Sequence, residues 1–171
     1  MPASGGSARR ATLLAAVALV VAGRAEPSAA IDRDRVAAHL AAAIRFRTVS
    51  HQDPSEDDRT QFAGLRAFLA RTYPKVHRSL VRELVNGDGL LYTWKGADAS
   101  AKPVLLMAHQ DVVPVEPGTE GRWAHPPFGG AIADGFVWGR GALDDKASLV
   151  FLMEAVESLL AEGFRPPQGS S

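Results

Sequence analysis

The 171-residue sequence contains no cysteine. That absence removes disulfides, thiolate zinc sites and cysteine nucleophiles together, so any metal site has to be built from His, Asp and Glu. Neither sign of charge is in excess: 19 Lys and Arg stand against 19 Asp and Glu, for a formal net charge of +0. Nucleic-acid recognition needs a clustered basic face, and no nucleic-acid partner is expected here. Past the first thirty residues no run is long and apolar enough to span a bilayer, which takes about 20 residues. No internal repeat is present. What the chain does have is 46% hydrophobic and 22% charged residues, enough for one domain with a sizeable core.

The first segment reads as targeting rather than fold. Arg9 and Arg10 form a basic region, and Ala11 to Ala22 is apolar apart from Thr12. Two small-residue cleavage patterns follow, Gly23-Arg24-Ala25 and Ser28-Ala29-Ala30. This is signal-peptide architecture, with an uncleaved anchor or a plain disordered tail as the other readings of residues 1–30. The expectation is export, periplasmic or secreted, with membrane contact only through this segment.

Residues 31–171 form the second division. Val36, Leu40 and Ile44 recur at helical spacing after Asp32 and Asp34, either of which could cap the start. His51 to Asp58 is a polar loop. Phe62, Leu65, Phe68 and Leu69 predict a second helix that ends at Pro74. Ser79 to Val85 and Leu90 to Trp94 read as strands joined by the turn Asn86-Gly87-Asp88-Gly89. Val104 to Ala108 is a short continuous apolar run of the kind a buried parallel strand shows. A long irregular stretch, Val112 to Gly130, is followed by Phe136 to Trp138, which could form a short strand. Leu149, Leu152, Met153, Val156, Leu159 and Leu160 then mark a helix from about Asp145 to Gly163. The expected fold is α/β, with a mixed, mostly parallel sheet flanked by helices. Glu154, Glu157 and Glu162 fall within the last helix and are expected to be solvated. With no strand after that helix, part of its apolar stripe and one strand edge are expected to be exposed, leaving the chain poorly stable by itself.

Two motifs carry candidate chemistry. His109-Gln110-Asp111 lies just past the run Val104 to Ala108, and ligands of open α/β sheets bind outside the carboxyl ends of strands. Residues two apart in extended chain face one way, so Asp111 could orient the His109 imidazole, as outer carboxylates do for metal-bound histidines. A surface histidine beside a turn carboxylate is the plain alternative. Gly139 to Lys146 joins a short strand to the last helix and holds adjacent carboxylates. One of Asp144 and Asp145 could bind metal while the other caps the helix, or both could serve only the helix start. His39, His51, His77 and His125 lack a matching cluster and read as structural or surface residues.

Taken in order, His109-Gln110-Asp111-Val112-Val113-Pro114, Trp123-Ala124-His125-Pro126-Pro127-Phe128-Gly129-Gly130 and Gly139 to Lys146 resemble the zinc-dependent family of aminoacylase, carboxypeptidase S, acetylornithine deacetylase and succinyl-diaminopimelate desuccinylase. The Trp…Pro-Pro-Phe segment and Asp-Asp-Lys look most like the carboxypeptidase S and N-acyl-amino-acid hydrolase branch. Arg45 to Ser50 is similar to a further family segment. The resemblance implies that His109 is a zinc ligand, that Asp111 is the active-site carboxylate steering it, and that Asp144 bridges two zinc ions. It also implies that the Asp144–Asp145 peptide is cis. The implied reaction is di-zinc hydrolysis of an amide bond in an N-acyl amino acid or small peptide.

Against the family pattern, the general-base glutamate, the later metal ligands and the small lid or dimerisation domain have no counterpart in the sequence. The expectation is therefore an N-terminal part of the catalytic domain, inactive by itself because two ligands are fewer than the three or four a zinc site needs. The competing expectation is a non-catalytic or degenerate product with at most a binding role.

Overall fold

A computed structural model of the chain describes residues 31–167. The proposed signal peptide or anchor, residues 1–30, lies outside the described residues. Among residues 31–167, no helix is long and apolar enough to cross a membrane.

Four helices pack around a common core. Helix α1 (Arg33–Ile44) starts at Asp32, whose carboxylate accepts from the backbone N–H groups of Asp34 and Arg35. Helix α2 (Arg59–Thr72) is capped in the same way by Asp58. Pro74 does end α2, but it also opens a short helix not foreseen in the sequence, α3 (Pro74–Ser79). Proline suits a first helical position, because no intrahelical partner is lost there. Helix α4 (Lys146–Ala161) closes on Gly163, at φ 74°. It packs against α1 and α3 around Ile44, Leu65, Leu69, Val76 and Val150, all but fully buried.

Two hairpins complete the mixed α/β architecture. Strands β1 (Val81–Val85) and β2 (Gly89–Thr93) pair antiparallel with Val81 opposite Thr93. Strands β3 (Ala131–Ala133) and β4 (Phe136–Trp138) pair antiparallel with Ala131 opposite Trp138. The α/β class is as expected, but the strand directions are not: among the described residues the one isolated parallel pairing is the bridge Val49 to Val112. Val104 to Ala108 departs furthest from expectation. It forms no strand, and Leu105, Leu106 and Met107 are 62%, 55% and 77% exposed. A strand is defined by the ladder beside it; only Val104 makes a bridge, and the apolar residues after it have no ladder to join and keep their side chains in water.

The expectation for the glutamates of α4 also needs correcting. Glu154 is buried and meets Tyr73 Oη at 3.1 Å, Arg35 Nη2 at 3.4 Å and the His39 imidazole. Glu157 accepts from the backbone N–H groups of Lys75 and Val76, at 2.9 Å to each, and so caps α3. Only Glu162 stays exposed. Both inward-facing glutamates satisfy donors that arrive from other elements, which no local pattern reveals.

Candidate metal centre

The site is assembled on the end of α1 and the segment that follows it. Thr48, fully buried, donates from Oγ1 to Gln110 O at 2.6 Å. Val112 N donates to Thr48 O at 2.9 Å and Ser50 N to Val112 O at 3.0 Å. Residues 48–50 thereby hold residues 110–112 in a short parallel register. Ser50 Oγ donates to Asp111 Oδ2 at 2.6 Å.

The second motif reaches the same place by close packing. Gly130, at φ 58°, lies so near α1 that a Cβ there would sit 2.1 Å from Ala41 O. Only glycine allows both that approach and that backbone conformation. Gly141, at φ 85°, would place a Cβ 2.7 Å from Val112 Cγ1, so the two motifs touch at this point. Arg45 Nε donates to Gly129 O at 3.2 Å, and the Arg47 guanidinium lies 5.3 Å over the Phe128 ring.

The result is a convergence of His109, Asp111 and Asp144. His109 Nε2 is 3.0 Å from Asp144 Oδ1. On the other side of the ring, Nδ1 is 2.9 Å from Asp111 O and 3.3 Å from Asp111 Oδ1. With acceptors on both ring nitrogens, the protonated imidazole is favoured. The hydrogen bond to Asp144 raises the His109 pKa most, partial burial opposes it, and the Asp111 carbonyl and both carboxylate charges add to the rise. The Asp144 carboxylate is 90% exposed, so this edge opens to solvent. It lines a pocket of about 290 Å³ that also includes Arg140, whose guanidinium lies 5.2 Å over the Trp123 ring.

Asp145 does not do what the sequence suggested for one of the two carboxylates. It occupies the N-cap position of α4 but makes no side-chain cap bond. Its Oδ2 instead accepts from His109 N at 3.3 Å, tying the two motifs together. The peptide between Asp144 and Asp145 is cis. Lys146, unremarked in the sequence, is fully buried, and its Nζ donates to Ala43 O and Phe46 O. Burial pushes its pKa down to about 8, against a smaller upward pull from Asp111. One signal could have singled it out. A cation in the first turn of a helix opposes the helix dipole, and here it follows two carboxylates that would suit that turn better.

The donors fit part of a zinc site. Two atoms each about 2 Å from one ion lie roughly 3 Å apart, as His109 Nε2 and Asp144 Oδ1 do, and imidazole with carboxylate is a usual zinc donor pair. Among the described residues, no group of three or more His, Cys, Asp or Glu side chains gathers to complete it.

The fold matches parts of larger solved proteins over 79–80% of this chain. The model of the peptidase family M20/M25/M40 matches residues 105–170, a stretch similar to metallopeptidases that generally use zinc. The chain is 45% identical over 134 residues to carboxypeptidase S of Saccharomyces cerevisiae, covering 74% of this chain and 23% of that protein. It is 40% identical over 144 residues to an N-fatty-acyl-amino acid synthase/hydrolase of Mus musculus, covering 82% of this chain and 28% of the relative. Among solved structures, the di-peptidase Dug1p of Saccharomyces cerevisiae superposes with a TM-score of 0.57 at 24% identity, over 80% of this chain and 30% of that one. The chain thus spans about a quarter of the length of the curated relatives it matches.

Proposed function

We propose that this chain supplies one edge of a zinc centre that hydrolyses the amide bond of an N-acyl amino acid or small peptide. The observation that carries the reading is the 3.0 Å approach of His109 Nε2 to Asp144 Oδ1, with Asp111 on the far side of the ring. His109 would hold the metal through Nε2, and Asp144 through its carboxylate. When bound, zinc supplies Lewis-acid polarisation of a carbonyl and activation of water. The residues of the chain do the rest of what is proposed here. Asp111 keeps the proton on Nδ1 and so leaves the Nε2 lone pair for the metal. Ser50 holds Asp111 in place through its 2.6 Å hydrogen bond.

The substrate class follows the relatives' names, and the pocket supports it. Arg140 is the one Lys or Arg lining the pocket, and its Nε is buried with no acceptor among the described residues. Its guanidinium is the group in that lining whose charge suits the free carboxylate that N-acyl amino acids and peptides carry. Export through residues 1–30, as signal peptide or anchor, is part of the same reading. Its support is the basic pair and apolar run, and amino-terminal sequencing of the mature protein tests it.

With two donors in place, the 171-residue chain by itself is expected to bind zinc weakly and to hydrolyse nothing. Hydrolysis of a panel of N-acyl amino acids with added zinc tests this. Robust, chelator-sensitive turnover by the chain would show that its ligand shell is more complete than proposed. Zinc affinity unchanged by His109→Ala and by Asp144→Ala would remove the centre from this position.

A further inference from the structure

Helix α1 ends with no basic residue in its last turn. Locally, its terminal carbonyls meet backbone donors only, Arg45 N on Ala42 O and Phe46 N on Ala43 O, each at 3.3 Å, and no charge in that turn matches the negative end of the helix dipole. The missing cation arrives from far along the chain: Lys146 Nζ donates to Ala43 O at 3.1 Å and to Phe46 O at 2.6 Å. By local rules Lys146 is badly placed. It is the first residue of α4, where a cation opposes the dipole, and its side chain is fully buried. What holds it there is the end of α1. Its backbone closes the preceding loop, with Lys146 N donating to Gly141 O at 3.0 Å. Asp144 lies within that closed loop. Past Phe46 the chain runs directly into Thr48 and Ser50, which hold Gln110 and Asp111.

We infer that Lys146 is a positioning residue: by pinning the 141–146 loop to the carbonyl end of α1, it sets the Asp144 carboxylate against His109 Nε2. The inference rests on His109 and Asp144 forming the metal-binding edge, and it adds the device that preforms that edge before any metal arrives.

The test is made on the metal-free full chain. The imidazole ¹⁵N shifts of His109 report the hydrogen bond at Nε2, and Asp144→Ala defines the shift that its loss produces. Lys146→Met is expected to reproduce that shift while unfolding remains cooperative. It is also expected to weaken zinc binding about 10–100-fold, the usual effect of removing a ligand's outer support. The absence of native cysteine allows a second arm. Lys146→Cys, aminoethylated in denaturant and refolded, regains a lysine-like cation and should regain the wild-type His109 shift, whereas alkylation with a neutral acetamide group should not. Folded Lys146→Met with a wild-type His109 shift overturns the inference. So do equal shifts in the two alkylated forms, and that comparison decides the matter if Lys146→Met does not fold. If instead Asp144→Ala leaves His109 unchanged, the His109–Asp144 pair itself is absent and the proposed centre fails with it.

Discussion

The two banks of the candidate centre meet at 3.0 Å but are held by different forces. The His109 bank is held by hydrogen bonds: residues 48–50 pair with residues 110–112, and Ser50 grips Asp111. The Asp144 bank is held by close approach and a buried cation. Gly130 lies against Ala41, Gly141 against Val112, and Lys146 on Ala43 O of α1 and on Phe46 O just past its end. Hydrogen bonds can be removed singly at about 1 kcal/mol each, because water can replace part of what is lost. A steric contact below 3 Å has no such substitute. The Asp144 bank should therefore fail abruptly and the His109 bank gradually.

The largest effect is expected where sterics alone decide. Gly130→Ala puts a Cβ 2.1 Å from Ala41 O at φ 58°, and should destabilise the chain by about 3 kcal/mol or more. Denaturant unfolding measures it, and a loss below about 1 kcal/mol would mean that the 127–146 segment floats free of α1.

A pH effect of similar size is expected at Lys146. Its pKa is about 8 in the folded chain against the ordinary 10.5, so the unfolded chain binds more protons between those values. Stability should rise with pH across that window, by up to roughly 3 kcal/mol at 1.36 kcal/mol per unit. Burial raises the Tyr73 pKa, and stability from its protonated form is lost as pH climbs past the ordinary value near 10. The clean interval is therefore pH 8 to 9.5. A Lys146→Met chain whose stability keeps the same slope there would remove Lys146 as the source.

The gradual bank gives the smaller number. Ser50→Ala removes one donor from Asp111 and should cost about 1 kcal/mol of stability. Zinc affinity should drop no more than about tenfold, because His109 still meets the Asp111 carbonyl at 2.9 Å. A loss as abrupt as that of Gly130→Ala would erase the contrast between the banks. Smallest of all should be Leu106→Lys. Leu106 is 55% exposed and outside the paired stretch, so stability should move by no more than about 0.5 kcal/mol while self-association of the apolar run decreases. Light scattering with parallel unfolding curves checks both.

Much of the first bank could be read in the sequence, and less of the second. His109, Asp111 and Asp144 stand in short motifs whose chemistry is local, and helices α1, α2 and α4 announce themselves by apolar spacing and caps. The cis peptide at Asp144 came only from the family resemblance. Lys146, Glu154 and Glu157 were hidden because each finds its partners about eighty residues or more away: Lys146 at Ala43 and Phe46, Glu154 at Tyr73 and His39, Glu157 at the start of α3. Charged residues at such positions look solvated until the fold delivers their partners. Val104 to Ala108 misled for the opposite reason. Its apolar content describes what would suit it, whereas strand formation depends on a continuous ladder, and among the described residues only a single bridge at Val104 forms.

The most direct measurement is the X-ray absorption fine structure of the zinc-loaded chain beside its His109→Ala variant. The account predicts a nitrogen and oxygen shell near 2.0–2.1 Å with the outer scattering of one imidazole, and loss of the imidazole scattering in the variant. Imidazole scattering that persists in His109→Ala would place the metal on another histidine, and would contradict the centre built from His109 and Asp144.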